Sequence, residues 1–131
     1  MSLENVELAR QAYEAFNRRD FPALLALIDA DVHLVPQLAA MEGEYRGHEG
    51  TRRWWQNLLD AWPDYEAEVV EVRDLGTATL AKVQVGGHAA DSGIPVRETS
   101  WHVWRWRRNK AVWFAVFPTE VGALKAAGLR E

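Results

Sequence analysis

The sequence predicts one α+β domain over residues 1–131, with N-terminal helices packed against a strongly curved, mostly antiparallel sheet and a cone-shaped cavity between the two. Three observations carry this. The N-terminal part shows apolar stripes at helical spacing, and the C-terminal half shows runs of period two separated by turn residues. Seven Trp in 131 residues then demand either an aromatic core or a ring-lined pocket.

Ser2 is placed to cap a first helix running to about Asn17, whose stripe is Val6, Ala9, Ala12, Tyr13 and Phe16. Asp20 caps a shorter second helix that tolerates Pro22 in its first turn, buries Leu24, Leu25, Leu27 and Ile28, and is stopped by Asp29–Asp31. Val32 to Val35 reads as a brief strand ended by Pro36, with Val32 and Leu34 on one face and His33 on the other. Gln37 to Gly50 reads as a loop beside the pocket, with His48 either in solvent or near a helix start. A third helix over Thr51–Trp62 presents Trp54, Trp55, Leu58, Leu59 and Trp62, and Pro63 ends it.

Tyr65–Arg73 and Thr77–Val85 follow as strands joined at Asp74–Gly76. A turn-rich connection, Gly86–Pro95, carries His88 and Asp91 toward the pocket mouth or is simply a flexible link. The most regular segment comes next. Between Glu98 and Arg107 one face collects Ser100, His102, Trp104 and Trp106, and the other collects Trp101, Val103, Arg105 and Arg107. After a turn at Arg108–Lys110, Ala111–Phe117 returns as the partner strand. Pro118 and Thr119 introduce a last helix around Val121, Leu124 and Ala127, with Gly128 at the left-handed C-cap.

A net charge of -4 gives no basic field for phosphate backbones, so nucleic acid is not an expected partner. With no Cys there is neither a disulfide nor a thiolate. The charged N-terminus and the lack of a membrane-length apolar run lead to the expectation of a cytoplasmic chain without membrane attachment. Four His without an i, i+4 pair predict no metal site unless His33, His88 and His102 converge.

A single imidazole on an aromatic strand face makes His102 the lead residue, either satisfied structurally or working in a pocket. One reading is enzymatic. His102 acts as acid or base, Glu98 lies on the same face about 13 Å away, and Tyr13 donates across the cavity. A second is a binding module walled by Phe16, Leu34, Trp55, Leu58, Leu59, Trp62, Trp104 and Trp106. A third is an interaction domain that uses the outer sheet face.

The runs Arg10–Asp20, Tyr45–Gly50, Trp62–Asp64 and Ala123–Leu129 resemble the SnoaL-like family of the nuclear-transport-factor-2-like, or ketosteroid isomerase-like, superfamily. The resemblance implies a cone-shaped α+β barrel and a pocket for a small, largely apolar, polyketide- or steroid-like molecule. It also implies no cofactor and a homodimer packed through the outer sheet face near Trp101, Val103 and Arg105. Isomerase, cyclase or hydrolase activity is what such relatives carry, beside non-catalytic binders. In that comparison the isomerase base and helix tyrosine fall on Pro36 and Ala12, the acidic donor falls on His102, and the cyclase aspartate falls on Thr119.

Overall fold

The computed structural model describes residues 2–37 and 43–128, with side chains from Glu4 onward. The expected Ser2 cap, the middle of the loop after Pro36, and Leu129 lie outside the described residues. The described elements are α1 (Ser2–Asn17), α2 (Phe21–Leu25), β1 (Ile28–Val35), β2 (Tyr45–Arg46), α3 (Gly47–Ala61), β3 (Glu66–Asp74), β4 (Ala78–His88), β5 (Pro95–Arg107), β6 (Lys110–Phe117) and α4 (Glu120–Ala126).

Six strands form one sheet in the order β2-β1-β6-β5-β4-β3. Every pairing is antiparallel except β1 with β6, which run parallel. An extra residue at Val70 in β3 interrupts the ladder to β4. Such bulges sharpen strand twist and help the sheet bend over α1. A second extra residue, Val112 in β6, shifts the register against β5. It leaves Ala111 and Phe114, three apart, both packed in the core on the helix side.

Two segments differ from the sequence reading. Asp20 does cap α2, its carboxylate accepting from the Ala23 N–H at 3.2 Å, but the helix ends at Leu25. Asp29–Asp31 belongs to β1, because the chain from Ala26 onward is held by β6. The Ala111 N–H donates to the Leu27 carbonyl at 2.8 Å, and Lys110 Nζ donates to the Ala26 carbonyl at 2.6 Å. The segment expected as loop to Gly50 contains β2 and the first turn of α3. Gly47 makes that junction possible: its φ of +70° is left-handed, and a Cβ there would stand 3.1 Å from the Ala30 carbonyl.

Part of the outer sheet face is covered within the chain by the C-terminal helix. Thr119 caps α4 through the Gly122 N–H, Gly128 follows it at a φ of +89°, and α4 lies over Ala78, Leu80 and Val103. Of the three interface candidates, Val103 is completely buried beneath this helix. Arg105 donates to the Ala126 carbonyl at 3.0 Å and sits 5.4 Å over the Trp113 ring. Trp101 packs beside the same cluster. An apolar β5 face met by an amphipathic C-terminal helix folds that helix back on itself, which corrects the expectation of Val103 as an intermolecular contact.

At the β5–β6 turn, Arg108 and Asn109 both have positive φ, 54° and 66°. This is the demand of a type I′ turn, met here by two residues less suited to it than Asn-Gly. The double change Arg108→Asn with Asn109→Gly is expected to raise the unfolding free energy by about 1 kcal/mol in urea titrations. No change would show that the left-handed pair is not strained.

Candidate functional site

The inner face of β5 meets α1 and α3 around a cavity of about 310 Å³. Its walls form by element. Ala12, Tyr13 and Phe16 come from α1, and Thr51, Trp54, Trp55, Leu58 and Trp62 from α3 and the residue that follows it. Val96, Glu98, Ser100, His102 and Trp104 descend β5 at alternate positions, with Phe114 and Val116 beside them on β6. Leu34, Pro36 and Tyr65 also contribute. The aromatic walls brace one another: Phe16 packs on Trp55 at 5.0 Å between centroids, and Trp54 and Trp104 both lean on Phe114.

Within this apolar lining lies a buried hydrogen-bond chain. Trp104 Nε1–H donates to Tyr13 Oη at 2.9 Å, and Tyr13 Oη lies 2.6 Å from His102 Nδ1. With the indole proton already on the phenol oxygen, the Tyr13 hydroxyl donates to Nδ1. The short separation fits an O–H donor better than an N–H donor. The proton of the neutral imidazole is thereby assigned to Nε2. Nε2 has no hydrogen-bond partner among the described residues, and His102 borders the cavity.

Burial sets the protonation states. His102 is 6 % exposed, and removal from water lowers its pKa to about 3, so the ring is neutral throughout the physiological range. The same desolvation raises the Tyr13 phenol well beyond its ordinary range, against a smaller lowering by the Trp104 hydrogen bond. The site is a fixed array of neutral donors, and its histidine is a weak base.

Tyr13 therefore touches His102 directly, where the sequence reading placed it across the cavity. Glu98 borders the cavity from an exposed position, with no ion-pair partner among the described residues. Of the expected walls, Phe16, Leu34, Trp55, Leu58, Trp62 and Trp104 line the cavity, and Leu59 and Trp106 do not. Leu59 is turned from the cavity by the rotation of about 100° that separates it from Leu58 on the helix. Trp106 stacks on Trp104 and donates its indole N–H to Thr79 Oγ1 at 3.0 Å, which makes it core.

The other histidines are engaged elsewhere: His33 with Glu44, His48 with the Ile28 carbonyl at 2.8 Å, and His88 Nδ1 with Asp64 at 2.7 Å. The His88 pairing is also what holds Asp64 below the usual carboxylate range. His33, His88 and His102 do not converge, and Asp91 lies outside the lining. Ser100 carried no assigned role in the sequence although it shares the parity of His102, which was the signal available for it. Tyr65 gave no signal, since it reaches the cavity through tertiary packing alone, whereas Pro36 and Ala12 line it at the positions the family resemblance marked.

Comparison with known proteins agrees with this fold. The SnoaL-like domain family matches residues 9–114. Among solved structures, a nuclear-transport-factor-2-like protein of unknown function from Burkholderia pseudomallei superposes with a TM-score of 0.80 at 22 % identity, over 93 % of this chain and 95 % of that one. TerC, co-crystallised with polyporic acid, gives 0.79 at 18 % identity, over 96 % and 99 % of the two chains. A ketosteroid isomerase-like protein from Catenulispora acidiphila, in complex with trimethylamine, gives 0.76 at 18 % identity, over 95 % and 94 %. No curated protein sequence matches the chain.

Proposed function

Because this chain belongs to the SnoaL-like domain family, we propose that it binds a small, largely apolar carbonyl compound in its cone-shaped cavity, with the His102 Nε2–H donating to the carbonyl oxygen. The observation that carries the reading is the buried chain Trp104 to Tyr13 to His102, which orients a neutral donor at the edge of an otherwise apolar cavity. That two structures of similar fold were obtained with small molecules, polyporic acid in one and trimethylamine in the other, supports it.

A fixed donor in a water-poor site stabilises negative charge developing on a bound oxygen, which is the electrophilic half of isomerase- or cyclase-type acid–base chemistry. Proton abstraction is not a task for His102, whose conjugate acid is too strong. No carboxylate stands beside that donor: Glu98, the one carboxylate lining the cavity among the described residues, lies about 13 Å away along β5.

Calorimetric titration with 4-phenylcyclohexanone tests the binding step. The wild type is expected to bind saturably, and His102→Phe to weaken binding about tenfold, the value of one hydrogen bond in a dry site. Equal affinity in the two proteins would remove His102 from the reading. Proton–deuterium exchange beside the carbonyl, followed by NMR, separates a catalyst from a binder: a catalyst accelerates it and loses the acceleration in His102→Phe, and a binder leaves it at the rate of the free ketone.

A further inference from the structure

The donor at His102 leaves the opposite end of the cavity unexplained. There Glu98, on the inner face of β5, and Tyr65, at the entry to β3, both line the cavity. Among the described residues neither the carboxylate nor the phenol makes a hydrogen bond. The two are near enough for the Glu98 charge to act on the Tyr65 phenol, which burial first and that charge second raise to about 12.

Tyr65 is also held in place. Arg19 donates to its carbonyl at 2.7 Å and to the Pro63 carbonyl at 3.2 Å, and Phe16 packs edge-on against its ring at 6.0 Å. His102 lies four positions beyond Glu98, about 13 Å along β5. Midway lies buried Ser100, and the facing wall is aromatic.

Building on the carbonyl-binding reading, we infer that Glu98 and Tyr65 form a second recognition point, for a neutral hydroxyl, so that the preferred ligand is an elongated molecule with a carbonyl at one end and a hydroxyl-bearing ring at the other. The pair discriminates by chemistry. A hydroxyl gives its proton to the Glu98 carboxylate while its oxygen accepts from the Tyr65 O–H, which satisfies both. A carboxylate is repelled by Glu98, and a ketone or ether oxygen has no proton to give it. A ring-bearing spacer of about 10 Å between the two oxygens suits the separation along the strand.

Calorimetry compares 4-(4-hydroxyphenyl)cyclohexanone with 4-phenylcyclohexanone, which lacks only the hydroxyl. The hydroxylated probe is expected to bind the wild type about tenfold tighter, as a charge-assisted hydrogen bond allows. That advantage should shrink to about twofold or less in Glu98→Ala and narrow in Tyr65→Phe. Both variants should keep the parent probe's affinity, which also shows that they fold. If the two probes bind the wild type equally and both weaken in His102→Phe, the cavity reading survives and the hydroxyl site is overturned. A hydroxyl advantage that persists in both variants overturns it as well. If neither probe binds the wild type, the carbonyl reading fails and takes this inference with it.

Discussion

Tyr13→Phe is expected to lower the unfolding free energy by about 2–4 kcal/mol, although it removes one oxygen atom from a helix whose packing it leaves intact. The phenol oxygen accepts from Trp104 and donates to His102, and all three side chains are buried. Without it an indole N–H and an imidazole nitrogen lose their partners, and each unsatisfied group carries its own desolvation penalty. The same change frees the imidazole to take either tautomer, so carbonyl binding should weaken alongside stability. Urea unfolding, with the nitrogen shifts of the His102 ring read by NMR, measures both. A loss under about 1 kcal/mol with an unchanged tautomer would mean that the chain of hydrogen bonds organises nothing.

Acid should destabilise the protein well before its carboxylates titrate. His102 has a folded pKa near 3 against an ordinary value of 6.5. Below 6.5 the unfolded chain takes up a proton that the folded chain refuses, so the stabilisation is complete above 6.5 and is lost as the pH falls toward 3. The full difference is roughly 5 kcal/mol, of which about 2–3 kcal/mol disappears between pH 7.5 and 4.5. Unfolding free energies measured over that interval should fall steeply in the wild type and much less in His102→Gln. Parallel slopes would show that the imidazole is not held out of water as the packing implies.

The sheet and its inner face were readable because the physics behind them is local. The alternation from Ser100 to Trp106 follows from the pleat, and all four side chains of that face are buried. The helix-one stripe likewise placed Tyr13 on the packed side. Its meeting with His102, 89 positions away in the chain, depends on how α1 lies across the sheet, and nothing in either segment encodes that angle. Strand β2 is two residues long, too short for any period to register. Ile28–Asp31 was misread because local stop signals there yield to pairing with β6. Leu59 and Trp106 belong to apolar faces broader than the cavity, so periodicity could identify the face without marking which of its members border empty space.

The parallel pairing of β1 with β6 also has a consequence for the order of assembly. Strands β3 to β6 are successive hairpins whose contacts close over short stretches of chain. Ile28 meets Ala111, and Val35 meets Ala115, across some eighty intervening residues. Closing so long a loop is entropically unfavourable until much else is in place, and on a ribosome it must wait for β6 to be made. The N-terminal helices emerge first, and β1 can pair with nearby β2, yet it meets β6 only after that strand is made. The cavity bounded by both halves is thus a late product of folding, and a ligand in it favours only the chain that has completed that step.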